Sequence, residues 1–381
     1  MKINGGIVKM KVNAGILIDF GNSETRMTLL VNNKAKTTVL SNRFAALEPG
    51  YSVPLEYNND KSNVICVNGS YYASGALADR EFSGQLIRPS SMQNKSEQLV
   101  TEISYNQVLI TAIQQLAEGS GLAVSEIEPT FNISVLLPPM EHDIHIDSMK
   151  KLLSSVQMVT SYMPLDFSCP VKVDKIQVWP EGLAAFFGVY YMESENGLVE
   201  VFENLTYSTG HVLILDIGAG TTDVVMIKDT ELLLDSKDTF NVGGNTVEGQ
   251  LRKLLRQNYG FTPSDISTIV ERGELTDGNS IQDVSTLVTS AKDMYSKMLM
   301  THITGYLERM SISMREVKGV LVVGGGSLPS IRDGKIVSPA MSDVLINYFK
   351  ELSPNIALMN TAGKNPRLLN IEGLQYIHKY A

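Results

Sequence analysis

Twice in this 381-residue chain an apolar run ends in an aspartate, breaks at a glycine and is answered by a second apolar run. The first instance is Gly15 to Phe20, with Asp19 near its end, Gly21 beyond it and the return Thr25 to Val31. The second is His211 to Ile217, with Asp216 near its end, a glycine cluster from Gly218 and the return Asp223 to Lys228. Each reads as a pair of strands joined by a polar, glycine-bearing turn. A pattern that restarts this far along a chain implies a duplicated core. The length fits two domains of moderate size, each burying its own core.

Between the two hairpins the periodicity changes from strand to helix and back. Apolar residues at helical spacing predict a helix over Glu97 to Leu116, stopped by Gly119 and Gly121. Strands follow at Phe131 to Leu137, closed by Pro138 and Pro139, and at Val171 to Val178, with a helix over Ser148 to Met158 between them. Short strands at Val64 to Val67 and Tyr71 to Ala73, set among Asn, Ser and Gly, suggest a small subdomain. A helix Glu181 to Met192 is expected just after Pro180, where proline is well tolerated. Further helices are expected at Asn245 to Tyr259, Ile281 to Met310, Met341 to Leu352 and Ile371 to Tyr380, with a strand at Gly319 to Val323. Alternating strands and helices favour a wound α/β architecture.

Composition narrows the function classes. Hydrophobic residues at 43% and charged residues at 19% describe a soluble globular protein. No apolar run approaches the roughly 20 residues that span a bilayer, and the N-terminus lacks a signal-peptide core, so a cytoplasmic location with no membrane contact is expected. Cys66 and Cys169 are too few for a disulfide framework or cysteine metal cage, and both are expected buried. The net charge of -9 argues against direct nucleic-acid binding. His142 and His145, near Asp143 and Asp147, fit no zinc spacing and read as a solvated polar turn. The methionines Met294, Met298, Met300, Met310 and Met314 read as core or interface packing.

The turns carry the chemistry. In Asp19-Phe20-Gly21-Asn22-Ser23-Glu24-Thr25, a strand-end carboxylate is followed by amide and hydroxyl groups suited to phosphate oxygens, although an ordinary hairpin turn reads the same way. Asp216-Ile217-Gly218-Ala219-Gly220-Thr221-Thr222-Asp223 repeats it with more glycine, letting backbone amides approach a polyphosphate. Asp19 and Asp216 suit the water shell of a Mg²⁺ ion, which takes few direct protein ligands. Val320 to Val323 opens onto Gly324, Gly325, Gly326 and Ser327, bare backbone on which an adenosine can lie or a strand end that packs on glycine. Gly243, Gly244 and Asn245 precede a helix and serve either a phosphate or a helix cap.

In this combination the chain resembles the superfamily of actin, the seventy-kilodalton heat-shock chaperones and the sugar kinases. The Asp19 and Asp216 loops resemble its two phosphate motifs, and Val320 to Ser327 resembles its adenosine motif. Trp179-Pro180-Glu181-Gly182-Leu183-Ala184-Ala185 is similar to the connecting helix of the ParM-like plasmid-segregation actins, whose glutamate prepares the attacking water. Glu181 is thereby implied as the catalytic carboxylate, against the plain reading of an acid in a helix's first turn. Asn365 to Leu374 resembles the ending of ParM-like and archaeal actin-like proteins, whose last helix packs back on the first domain.

The resemblance implies an actin-like, ribonuclease H-like α/β fold, duplicated, with ATP or ADP and Mg²⁺ in a cleft between domains. The first domain is expected over 1–180, with a small subdomain inserted at about 35–95 and the helix 366–381 packed on it, and the second over 181–365. The implied function is an ATPase that polymerises with itself and drives segregation of plasmid or similar DNA through a DNA-binding adaptor. A sugar- or acetate-kinase-type phosphotransferase and a non-motile scaffold ATPase are the alternatives.

Overall fold

The computed structural model describes residues 9–380 apart from 33, 55–56, 58–61, 90–93, 195–196, 278–279 and 362. Contacts divide the chain into two compact units, Met1–Pro180 with His378–Ala381, and Glu181–Ile377. The small subdomain expected at about 35–95 includes several residues outside the described ones.

The first unit is built on a five-stranded sheet. Its strands run in the order Lys172–Pro180, Ile127–Leu137, Met10–Phe20, Glu24–Val31, Lys34–Ser41. The first two junctions are parallel and the last two antiparallel. Ile16, Leu17 and Ile18 in the central strand are all fully buried, so both faces of this sheet are covered, as a continuous apolar run requires. Ala14, Ile16, Ile18 and Phe20 enter one core with the helix Leu99–Ser120. That helix ends at Gly121, left-handed at φ 67°, and runs through Gly119, so only the later of the two expected stops acts.

A second sheet in this unit orders Phe44–Leu47, Ser70–Gly75, Ser62–Val67, Met158–Met163 and Phe167–Pro170. Lys34–Ser41 belongs to the main sheet, and Met158–Pro170 arrives from beyond the expected insertion. The smaller sheet is therefore assembled from two distant stretches of sequence. Cys169 is buried here and Cys66 only half-buried. The helix expected from Ser148 starts at Pro139, with proline in its first turn, and runs to Ser155. His142 and His145 thus lie on a helix rather than a solvated turn. His142 bonds Asp143 at 2.8 Å, and no group of three or more potential metal ligands occurs among the described residues.

The second unit repeats the plan. Its sheet runs Glu231–Leu232, Thr222–Lys228, His211–Ile217, Val317–Val323, Ala357–Leu358, with Asp238–Phe240 also pairing to Thr222–Lys228. Leu213, Leu215 and Ile217 enter a core with the helices Gly244–Tyr259 and Ser285–Arg309. Val212 and Ile214, facing the other way, pack with Leu183–Tyr190. Each fully buried aliphatic side chain of this kind stabilises by about 1.5–3 kcal/mol relative to exposure.

Two helices start later than their sequence suggests. Strand Lys172–Pro180 continues through Pro180, Glu181 and Gly182 form a turn, and the helix begins at Leu183. Gly182 forces this, since its φ of 79° belongs to no helix interior. Similarly, Glu274–Asp277 and Ser280–Asp283 form a hairpin, and the Asp283 carboxylate accepts the Ser285 amide at 2.9 Å where the long helix begins. Of the methionines on or beyond it, Met300 is buried and Met310 and Met314 pack on the core, whereas Met294 and Met298 are exposed. No helix among the described residues is long and apolar enough to cross a membrane.

The last helix, Leu369–Tyr380, crosses Leu183–Tyr190 closely. A side chain at Gly188 would meet Leu369 O at 2.8 Å, and one at Gly373 would overlap Ala184 O. Of this helix, residues through Ile377 group with the second unit and His378 onward with the first.

Candidate functional site

Both aspartates occupy the same place in their hairpins. Asp19 pairs across to Arg26 and Phe20 to Thr25; Asp216 pairs to Asp223 and Ile217 to Thr222. In each turn the glycine amide donates to the carbonyl three residues on, Gly21 to Glu24 at 3.0 Å and Gly218 to Thr221 at 2.9 Å. The aspartate strand has a parallel neighbour on its other side in both units, placing Asp19 beside Leu136 and Asp216 beside Val323. By the two-residue alternation of a strand, each aspartate faces away from the large helical core. The duplication therefore extends to register and to side-chain direction.

In the first unit Asp19 is 4% exposed and Arg26 Nη1 donates to its Oδ2 at 3.1 Å. Asn42 holds the turn: its Nδ2 donates to Gly21 O, its Oδ1 accepts from Thr25 Oγ1 at 2.7 Å and Ser104 Oγ at 2.8 Å, and its amide donates to Ser23 O. Asn22 and Gly21 line a small hollow with Lys95, Gln98 and Thr101. Ser23 is exposed.

In the second unit Asp216 is 8% exposed and accepts a hydrogen bond from Asn370 Nδ2 at its Oδ2. Gly324, at φ 88°, lies so near Asp216 Oδ1 that no side chain fits, and one at Gly326 would meet Ile217 Cγ2 at 2.6 Å. The Gly324 to Gly326 stretch and the Asp216 to Gly218 loop are thus in contact. Ala219, Gly220 and Thr221 complete the turn at intermediate exposure. Gly182 donates its amide to Asn370 Oδ1 at 3.2 Å, which links the Glu181 turn to Asp216 through one side chain. Glu181 is 6% exposed.

Three sequence assignments change. Thr222 faces inward, its hydroxyl 2.7 Å from both Val242 O and Tyr295 OH, because it pairs with Ile217 on the core side. Ser327 is 2% exposed and its hydroxyl donates to Gly324 O at 2.7 Å. The amides of Gly244 and Asn245 donate to Gly218 O at 2.9 Å and Ala219 O at 2.7 Å, so this helix start fastens the loop. A side chain at Gly243 would strike Thr221 N at 2.7 Å, which explains the glycine there.

Nothing in the sequence marks Asn42, Asn370 or Lys292 for a role. Lys292, 2% exposed, donates to Leu328 O at 3.2 Å, Ser330 Oγ at 3.2 Å and Pro339 O at 2.7 Å, tying down the segment after the glycines. Burial lowers its pKa to about 8. Arg26 was legible in principle, since hairpin register brings it opposite Asp19.

A magnesium ion takes hard oxygen donors and keeps several waters. Asp216, with Asp223 opposite it and bare glycine beside it, fits such a group. Asp19 is already balanced by Arg26.

Residues 214–330 match the family model of archaeal actin homologue MreB-like, C-terminal. No curated protein matches the chain. Among solved structures, the archaeal actin homologue Ta0583 superposes with TM-score 0.70 at 15% identity, covering 96% of this chain and 99% of that one, and has also been solved in complex with ADP. Actin-like protein Alp7A gives 0.69 at 16% identity over 97% and 96% of the two chains. ParM from Clostridium botulinum, solved as a 15-stranded filament, gives 0.63 at 17% identity over 97% and 100%.

Proposed function

From the actin-like fold that this chain adopts, with its duplicated α/β units, we propose that it binds and hydrolyses ATP and assembles with itself into filaments that move DNA. The matched register of the two aspartate hairpins carries this reading. Two turns built alike, each presenting a buried strand-end carboxylate and glycine-bearing backbone, are each suited to phosphate oxygens. The ADP complex of Ta0583 and the ParM filament of Clostridium botulinum support nucleotide binding and self-association respectively.

Each part has a stated task. Gly21, Asn22 and Ser23, and Gly218, Ala219, Gly220 and Thr221, offer amides and hydroxyls to phosphate oxygens. Gly324, Gly325 and Gly326 leave room for the nucleoside. Asp216 and Asp19 hold the magnesium water shell, and magnesium, when bound, neutralises charge developing on the phosphates. Glu181 orients the water that attacks the γ-phosphorus. Thr222, Gly243, Gly244 and Ser327 act indirectly by holding the loops. Head-to-tail contacts that do not close on themselves give an open polymer, and DNA is reached through a DNA-binding adaptor, consistent with the chain's net charge of -9.

The test is phosphate release measured alongside sedimentation. The reading expects ATP turnover accompanied by ATP-dependent pelleting. A chain that binds no nucleotide, or binds it and stays monomeric at high concentration, overturns it.

A further inference from the structure

Asn370 makes two side-chain bonds, one through each polar atom of its carboxamide. Its Oδ1 accepts the Gly182 amide at 3.2 Å while its Nδ2 donates to Asp216 Oδ2. An ionised carboxylate offers acceptors only and an ammonium donors only, whereas a carboxamide offers an acceptor and a donor on two separate atoms, one for each partner here. The residue is 7% exposed, with Leu369 and Ile371 on either side buried at 0% and 1%. The close crossing at Gly188 and Gly373 fixes its helix against Leu183–Tyr190, and so sets the reach of Asn370 to both partners. Gly182 holds a left-handed φ of 79°, and its amide is anchored by this one acceptor.

We propose that Asn370 is a positioning residue that registers Glu181 against Asp216. Through Gly182 it sets the turn from which the Glu181 carboxylate projects. Through Asp216 it occupies one carboxylate oxygen and so fixes the direction of the other. The inference rests on the roles of Glu181 and Asp216 given under the proposed function.

Asn370→Ala in the full chain removes both bonds and adds no charge: with magnesium and ATP, kcat should fall on the order of tenfold, with KM within about threefold. Asn370→Asp, which keeps an acceptor toward Gly182 and loses the donor toward Asp216, is the second variant: kcat lower on the order of tenfold, again with KM nearly held.

Wild-type kcat in either variant overturns the inference and leaves the proposed function standing. A wild-type chain that hydrolyses no ATP removes the proposed function and this inference with it.

Discussion

Glu181 is the residue on which hydrolysis turns in this account. It is buried in a turn whose following residue is tied by Asn370 to Asp216. Glu181→Gln keeps its size and removes its charge, so ATP turnover should fall by about 10²–10⁴-fold, with ATP affinity within about threefold. Single-turnover phosphate release beside nucleotide titration checks this, and full turnover in the variant contradicts the role. Gly324→Ala forces a side chain onto Asp216 Oδ1 at φ 88°. It should lower folding stability by about 1–3 kcal/mol and weaken nucleotide binding, as read by denaturant titration with and without ATP. The residues that carry these roles were partly legible. Asp19, Asp216 and Gly324 stand out because strand ends bearing a carboxylate or glycine recur across the two halves, although each ending taken alone reads equally as an ordinary turn or packing glycine. Thr222 and Ser327 were read as facing a ligand because they neighbour ligand-facing residues in sequence, but alternation sends Thr222 to the core with Tyr295, and Ser327 turns back to Gly324 O. Asn42 and Asn370 were silent, since their partners lie far away along the chain and only packing brings them together.

At the scale of elements, the hairpins were readable because strand alternation and turn chemistry agreed. The start of helix Leu183–Tyr190 was not, because helix periodicity continues back to Glu181 while the left-handed Gly182 interrupts it. The sheet that draws on Met158–Pro170 was equally hidden, as its pairing with Ser62–Val67 is long-range. Two buried titratable groups make element-level predictions. The last helix places His378 with Nδ1 2.7 Å from Ser134 Oγ, and burial, then Lys175, lowers its pKa. The unfolded chain therefore takes up this proton at higher pH than the folded one, and stability is lost as pH falls from about 7 through the unfolded value near 6.5. His378→Gln should flatten that acid slope in urea midpoints, and an unchanged slope contradicts the assignment. Lys292 behaves oppositely in range. Its folded pKa of about 8 lies below the ordinary 10.5, so its burial cost is fully present below pH 8 and is relieved as pH rises between those values. Buried tyrosines Tyr105, Tyr295 and Tyr306, held above their usual 10, reverse the trend beyond about pH 10, where the unfolded chain ionises. The denaturation midpoint should thus rise between about pH 8 and about pH 9.5, and Lys292→Met should remove the rise.

For the whole molecule, the account joins nucleotide state to assembly. ATP or a non-hydrolysable analogue should drive the chain into sedimenting polymer, and ADP should leave most of it in solution. The Glu181→Gln variant should assemble with ATP and fail to disassemble, since it binds without turning over. The claim beneath all of these is that the two aspartate hairpins, built alike, both serve nucleotide binding. Calorimetric titration of magnesium ATP into wild type, Asp19→Asn and Asp216→Asn chains tests it most directly. The account predicts one nucleotide per chain and, for each substitution, affinity weakened by about tenfold or more, corresponding to at least about 1.4 kcal/mol. Two nucleotides per chain, or an affinity untouched by either substitution, would contradict it.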